Sequence, residues 1–246
     1  MRVLVGLGLF LLFAIGAVIG LVLGVLVIFW ISLVRGKRAV HAEGVVCRAE
    51  IIAQEGEVGA RLAGSALVRL SGAFESQTTS GTDVLGLSVR TRRVKDAAST
   101  DPRIGDQDLV FGTFTSFLTA RKDRAATDTG DYLANHYSSV TPWWVPAKGP
   151  AILRLVPPPA APRERGTDRL GRLTADLVAD RARFGLTVDD VVVAEIRLLE
   201  RLPADASALH ISMFRTGRAV RPVGLRNGLR ATVYPVSQLG RRIRGG

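Results

Sequence analysis

From Val3 to Val34 the chain carries no charged residue. A helix crosses a bilayer core with roughly 20 apolar residues, and this run exceeds that length, so it can span with tilt or protrude at one end. A cleaved leader has an apolar core of about 7–15 residues followed by small residues. This run is longer and ends in Arg35, Lys37 and Arg38, a stop-transfer flank. The sequence therefore predicts one transmembrane helix over 3–34, followed by a domain over 35–246 large enough for one sizeable core. Only Arg2 precedes the run, so the excess of positive charge behind it places the domain on the cytoplasmic side. The single cysteine, Cys47, supports no disulfide framework and suits a reducing compartment.

The net charge is +11. Its arginines are scattered, with no dense basic block and few aromatics between them, which argues against nucleic acid and for a surface facing anionic lipid headgroups. Beyond the apolar run, 44–53, 65–72, 83–92 and 108–117 read as short strands, β-branched or aromatic and partly alternating. The stretch 131–144 is mixed, and 150–159 reads as a strand closed by prolines. Leu170, Leu173, Leu177 and Val178 share one face of a helix predicted over 169–183. Strands follow over 191–202 and 208–214, with Asp189-Asp190 at the turn that opens the first of them. Seven or so strands with few helices predict an α+β, mainly β class, with an antiparallel barrel and added helices.

Three short stretches carry chemistry. Near the C-terminus Arg230 and Tyr234 are four apart, with Pro235 behind them. On a helix they share a face, and the proline is expected to end the turn. A guanidinium beside a phenol favours the phenolate, a hard ligand for ferric iron, and tyrosine is among the axial ligands of haem. Just past the apolar run, His41 stands before the first predicted strand with Arg38 three residues earlier, a candidate general acid/base. In 65–72, Arg69 and Ser71 lie two apart, hence on one face of a strand. Each stretch alone is an ordinary helix end, surface histidine or strand.

Taken in order, the three resemble the haem-dependent catalase family. The family's R-x-x-x-Y-P pattern, with a small hydroxyl residue behind it and an arginine seven after the tyrosine, is matched by Arg230, Tyr234, Pro235, Ser237 and Arg241. Its R-x-V-H-A-K-G is matched by Arg38-Ala-Val-His41-Ala-Glu-Gly44, with Glu43 in place of lysine. Its V-R-F-S is matched by Val68-Arg69-Leu70-Ser71. The resemblance implies a catalase-like barrel holding haem b. Tyr234 would be the axial iron ligand and Arg230 its partner. His41 would be the catalytic acid/base, oriented by Ser71, with Arg38, Arg69 and Arg241 around the propionates. It further implies an oxidoreductase acting on peroxides.

Two departures bear on activity. The family's D-L-V-G-N-N-T-P supplies a distal asparagine, whereas this chain reads Asp108-Leu-Val-Phe-Gly-Thr-Phe-Thr115, leaving Thr113 or Thr115 as the expected stand-in. The chain is also shorter than a full catalase, so a shallower pocket is expected to admit organic or lipid hydroperoxides. A non-catalytic haem sensor, a haem-free scaffold and a fatty-acid hydroperoxide isomerase remain open alternatives, as does a homo-oligomer. His136 and His210 have no partner at metal-ligand spacing. Trp143 and Trp144 read as core or membrane-surface packing, and Cys47 as a small buried hydrophobe.

Overall fold

The computed structural model of the protein describes residues 2–35, 44–73, 82–92, 99–116, 118–159, 166–203 and 209–243. The apolar run is one continuous helical rod. It comprises α1 (Arg2–Leu23), a π-helical turn (Gly24–Ile28) and α2 (Phe29–Arg35). Its stretch Arg2–Ile28 has mean hydropathy 3.0 and is long and apolar enough to cross a membrane.

Eight strands then close an antiparallel barrel in the order β1 (Val45–Ala53), β10 (Val191–Leu202), β9 (Arg183–Val188), β8 (Leu153–Val156), β5 (Tyr137–Ser138), β4 (Gln107–Gly112), β3 (Leu85–Thr91) and β2 (Gly64–Gly72). Closure removes the sheet edges that would otherwise template aggregation. Alternation decides the two faces. Ala66, Val68 and Leu70 of β2, Leu87 and Val89 of β3, and Phe184 and Leu186 of β9 fill the interior. The intervening residues face outward. Register shifts opposite Arg48 of β1, where Leu199 is skipped, and at Val193 both fall in β10, the longest barrel strand, and bend it around the core.

The β9–β10 connection follows the sequence expectation: Asp189 and Asp190 have φ of 47° and 69°, the left-handed pair of a two-residue hairpin turn. The predicted strand over 150–159 divides. Its first part, β7 (Gly149–Ala151), pairs in a small sheet with β6 (Trp143–Val145) and β11 (Arg221–Pro222), while its second part is β8. The helix predicted over 169–183 is shorter, α5 (Arg169–Val178), because Asp180 turns at φ 52° and Arg183 opens β9. Its start is capped by Asp168, whose carboxylate accepts from Leu170 N and Gly171 N. Two short helices, α3 (Gly56–Leu62) and α4 (Ala120–Ala126), lay below the resolution of periodicity.

The expected strand over 208–214 is not formed within the described residues 209–214. A buried ion pair holds that segment instead. Arg90 and Asp108, register partners on β3 and β4, are fully buried and bond at 2.8 Å and 3.1 Å. The same carboxylate accepts from Ser212 N at 2.8 Å and from Arg215, while Arg90 donates to His210 O. Ser212 N and His210 O are thus spent on this charged pair, and beyond them the backbone of the segment meets β4 through Arg215 O and an isolated bridge of Thr216 to Gln107.

The last helix departs furthest from expectation. α6 (Leu225–Ile243) runs through Pro235 instead of stopping there. Pro235 removes one backbone donor, a loss normally costing about 3 kcal/mol. Packing along the apolar rod offsets it. Gly16 and Gly20 of α1 meet the carbonyls of Leu225 and Leu229, and Gly228 meets the carbonyl of Phe13, so closely that a Cβ at any of the three would overlap them. Thr232 Oγ1 donates to Ala17 O at 2.9 Å. Contacts rise in step along both helices, so they run parallel.

Asp108→Asn is expected to destabilise the domain by about 3–5 kcal/mol, because it strips Arg90 of its counter-charge inside the protein; urea unfolding measures this. Cys47 is fully buried in β1, and burial pushes its thiol up to about 12 from an ordinary 9.0. The unfolded thiol therefore ionises first. The stability it contributes is intact below about pH 9 and is lost as pH rises towards 12. Relative to Cys47→Ala, the wild type should lose about 2 kcal/mol between pH 8 and pH 10.5.

Candidate functional site

The α-helical period of α6 sorts its residues onto two opposed faces. Leu225, Gly228, Leu229, Thr232 and Val236 meet α1. Arg230, Tyr234 and Arg241, at i, i+4 and i+11, lie on the other side. Continuation of the helix past Pro235 is what brings the backbone of Arg241 onto that face; its side chain lies outside the described residues.

Arg230 and Tyr234 are in direct contact. The guanidinium donates to the phenol oxygen twice, from Nε at 3.1 Å and Nη2 at 3.0 Å, and its Cζ stands 5.5 Å from the ring centroid. The third arm, Nη1, donates to Thr141 Oγ1 at 3.3 Å. Thr141 in turn donates to Asn227 Oδ1 at 2.7 Å, and the fully buried Asn227 donates to Pro142 O and Val223 O at 2.8 Å and 3.0 Å. The segment that presents Thr141 is held in an uncommon backbone state. Val140 has φ 63°, a left-handed conformation that a β-branched residue resists. It is pinned there by Ser138 Oγ accepting Val140 N–H at 3.0 Å and by Ser139 Oγ donating to Thr141 O at 2.9 Å.

The three tyrosines are not equivalent. Tyr132 and Tyr137 are fully buried, and the Tyr137 hydroxyl donates to Tyr132 O at 2.8 Å. Burial pushes the Tyr137 phenol well above its ordinary value, so it stays neutral. Tyr234 is half-buried and accepts two guanidinium N–H bonds at its oxygen. An oxygen held by two guanidinium N–H bonds is of the kind that could ligate a haem iron.

On β2, Arg69 and Ser71 point to the outer face, opposite to the core residues Val68 and Leu70. Arg69 is buried and packs against Gly44, where a Cβ would lie 3.0 Å from its Nη2. Ser71 Oγ makes a long bond of 3.4 Å to Gly86 O. Arg38 and His41 lie outside the described residues.

Both threonines expected to stand in for the missing asparagine are engaged by other partners. Thr113 Oγ1 accepts from Leu85 N at 3.1 Å and from Thr127 at 2.9 Å, and Thr115 is bound to Asp123 in the exposed loop before α4. Register decides which residue shares the Ser71 face: Ser71, Gly86, Gly112 and Ser138 stand opposite one another across β2, β3, β4 and β5. Counting from Asp108, Gly112 and Thr113 fall at the two asparagine positions, and of these Gly112 shares the Ser71 face; the Phe114 ring lies 2.8 Å from where its Cβ would be. The site thus has an apolar ring where an amide was looked for.

His136 and His210 are exposed, and no group of three or more metal-binding side chains occurs among the described residues. Thr141 and Asn227 went unread in the sequence. They are 86 residues apart, and nothing local distinguishes them.

No family model matches the chain, and no curated protein does. Among solved structures, one described as the structure of a bacterial catalase is similar at a TM-score of 0.47 and 13% sequence identity, over 83% of this chain and 57% of that one. The chain thus spans little more than half the length of that structure.

Proposed function

We propose that the protein is a membrane-attached haem protein that reduces peroxides at the expense of an electron donor or a second peroxide, with Tyr234 as the residue that would ligate the iron. The observation that carries this reading is the pair of N–H bonds from Arg230 onto the Tyr234 oxygen, which fix the direction of the phenol oxygen beside a cation, as a metal ligand needs. Thr141 and Asn227 hold Arg230 and so fix the direction of the phenol oxygen. Bound haem b would supply the redox-active iron. Arg69, with Arg38 and Arg241, would neutralise its propionates, for which guanidinium forks are suited. His41 would take a proton from the attacking peroxide oxygen and return it to the departing one, with Ser71 orienting the ring. The long apolar helix supports a lipid surface as the setting of this chemistry, and the positive flank at Arg35, Lys37 and Arg38 favours the cytoplasmic side. Organic or lipid hydroperoxides are the proposed substrates.

A second reading, a haem sensor without rapid turnover, is favoured by one observation. Gly112, beneath the Phe114 ring, offers no donor to orient hydrogen peroxide.

Purified full-length protein supplied with haem is expected to develop a Soret band with charge-transfer bands. Tyr234→Phe should lose them, whereas His41→Ala should keep them. A wild type without these bands would end the haem reading. Turnover of a lipid hydroperoxide should exceed that of hydrogen peroxide, and His41→Ala should lower it by about 10²–10⁴-fold. Haem bands without peroxidase turnover in the wild type would select the sensor. Thr141→Val, which frees one arm of Arg230, should leave folding intact and shift the charge-transfer bands.

A further inference from the structure

We infer that the apolar rod lies in the plane of the membrane, buried in one leaflet along the side of the body, and does not cross the bilayer. This rests on the membrane reading above and specifies its geometry.

The rod presents two different surfaces. One stripe, formed by Gly6, Leu9, Phe13, Gly16, Ala17, Gly20, Gly24 and Ile28, is the turned-in side. It touches protein at both ends and in between. Arg2 Nη1 donates to Ala147 O at 2.8 Å in the β6–β7 turn. Gly6 lies against the Trp144 ring and Leu9 against Gly224. The Phe13 ring packs edge-on to Phe214, with centroids 5.9 Å apart. Gly16, Gly20 and Gly24 continue the contact along α6 as far as Val236. The other positions from Val3 to Val27 are exposed and apolar, with Val3 at 84%, Phe10 at 68%, Val18 at 66% and Leu26 at 66% exposure. The exposed Leu239 and Ile243 add apolar surface at the far end of α6.

A rod that crossed the bilayer would carry its bound flank into hydrocarbon. That flank is α6, which contains Arg226, Arg230, Arg241 and Arg242, and the β6–β7 turn, where Lys148 pairs with Asp189. Charged groups at that depth are costly to bury. Crossing would also put Arg2 on the far side of a core roughly 30 Å thick, away from Ala147. Lying in the plane removes both conflicts. An ordinary in-plane helix supplies its own polar face; this rod has none, and the body stands in for it. Anionic phospholipid is the proposed occupant of the apolar face. The chain carries a net charge of +11, and Arg221 and Arg226 are exposed at the start of α6, beside the rod.

The full-length chain, with Cys47→Ala as background, is reconstituted into vesicles of phosphatidylcholine and phosphatidylglycerol and floated on a density gradient. Arg2→Cys/Ala147→Cys is then treated with a bismaleimide much shorter than the bilayer core, roughly 30 Å. The expected result is flotation with intramolecular cross-linking of most molecules. In a second measurement, Leu4→Trp, Leu12→Trp and Leu26→Trp, each at an exposed position, are quenched equally by lipids brominated at one shallow acyl position. Flotation without the cross-link, and with Leu12→Trp quenched at greater depth than Leu4→Trp and Leu26→Trp, overturns the in-plane arrangement and leaves a crossing helix. Failure to float, with the chain recovered as a soluble oligomer, overturns the membrane reading itself and assigns the apolar face to a second copy.

Discussion

Close backbone contact between the apolar rod and α6 is the constraint on which the rest of the candidate site depends. Gly16, Gly20 and Gly228 let two helices approach until carbonyl oxygens occupy the space of side chains. Small residues permit such approach between helices in a lipid setting, where van der Waals packing has to replace the hydrophobic effect. With one face fixed on the rod, α6 has one remaining side, and Arg230 and Tyr234 lie on it. The same contact explains why the helix survives Pro235: its flank is held by a partner and does not rely on the hydrogen-bond ladder alone.

The sequence-predicted residues Arg69 and Ser71 are placed by the barrel. In a closed sheet, alternation forces every second residue outward. That is why Arg69 and Ser71 stand together, and why Gly112 rather than Thr113 shares their face. The buried pair of Arg90 and Asp108 shares this outer face, where it ties 209–216 down over the sheet. Thr141 links the halves of the fold. It sits on the strained turn after β5 and meets Arg230 from α6. Strain at Val140 is sustained because Ser138 and Ser139 over-determine the turn.

The apolar helix is the seat of the helix that carries Arg230 and Tyr234, and its other side is exposed and apolar. Disturbing Gly16 or Gly20 would move Tyr234 without touching it. The exposed apolar face of the rod is thereby joined to Arg230 and Tyr234 through packing alone.

The sequence by itself determined the elements whose signals are local. The uncharged run had to be a long apolar helix, and 44–53, 65–72 and 191–202 had to be strands, because their patterns repeat within a few residues. Arg230 and Tyr234 had to share a helix face, because four residues make one turn. The tertiary structure alone decided where α6 ends, since the loss at Pro235 is offset by residues more than 200 positions away. It alone decided that 209–214 would serve a buried carboxylate instead of a ladder, that Thr141 and Asn227 would support Arg230, and that Gly112 would take the place sought for Thr113 or Thr115. Each of these turns on a contact between distant segments, which no local pattern records.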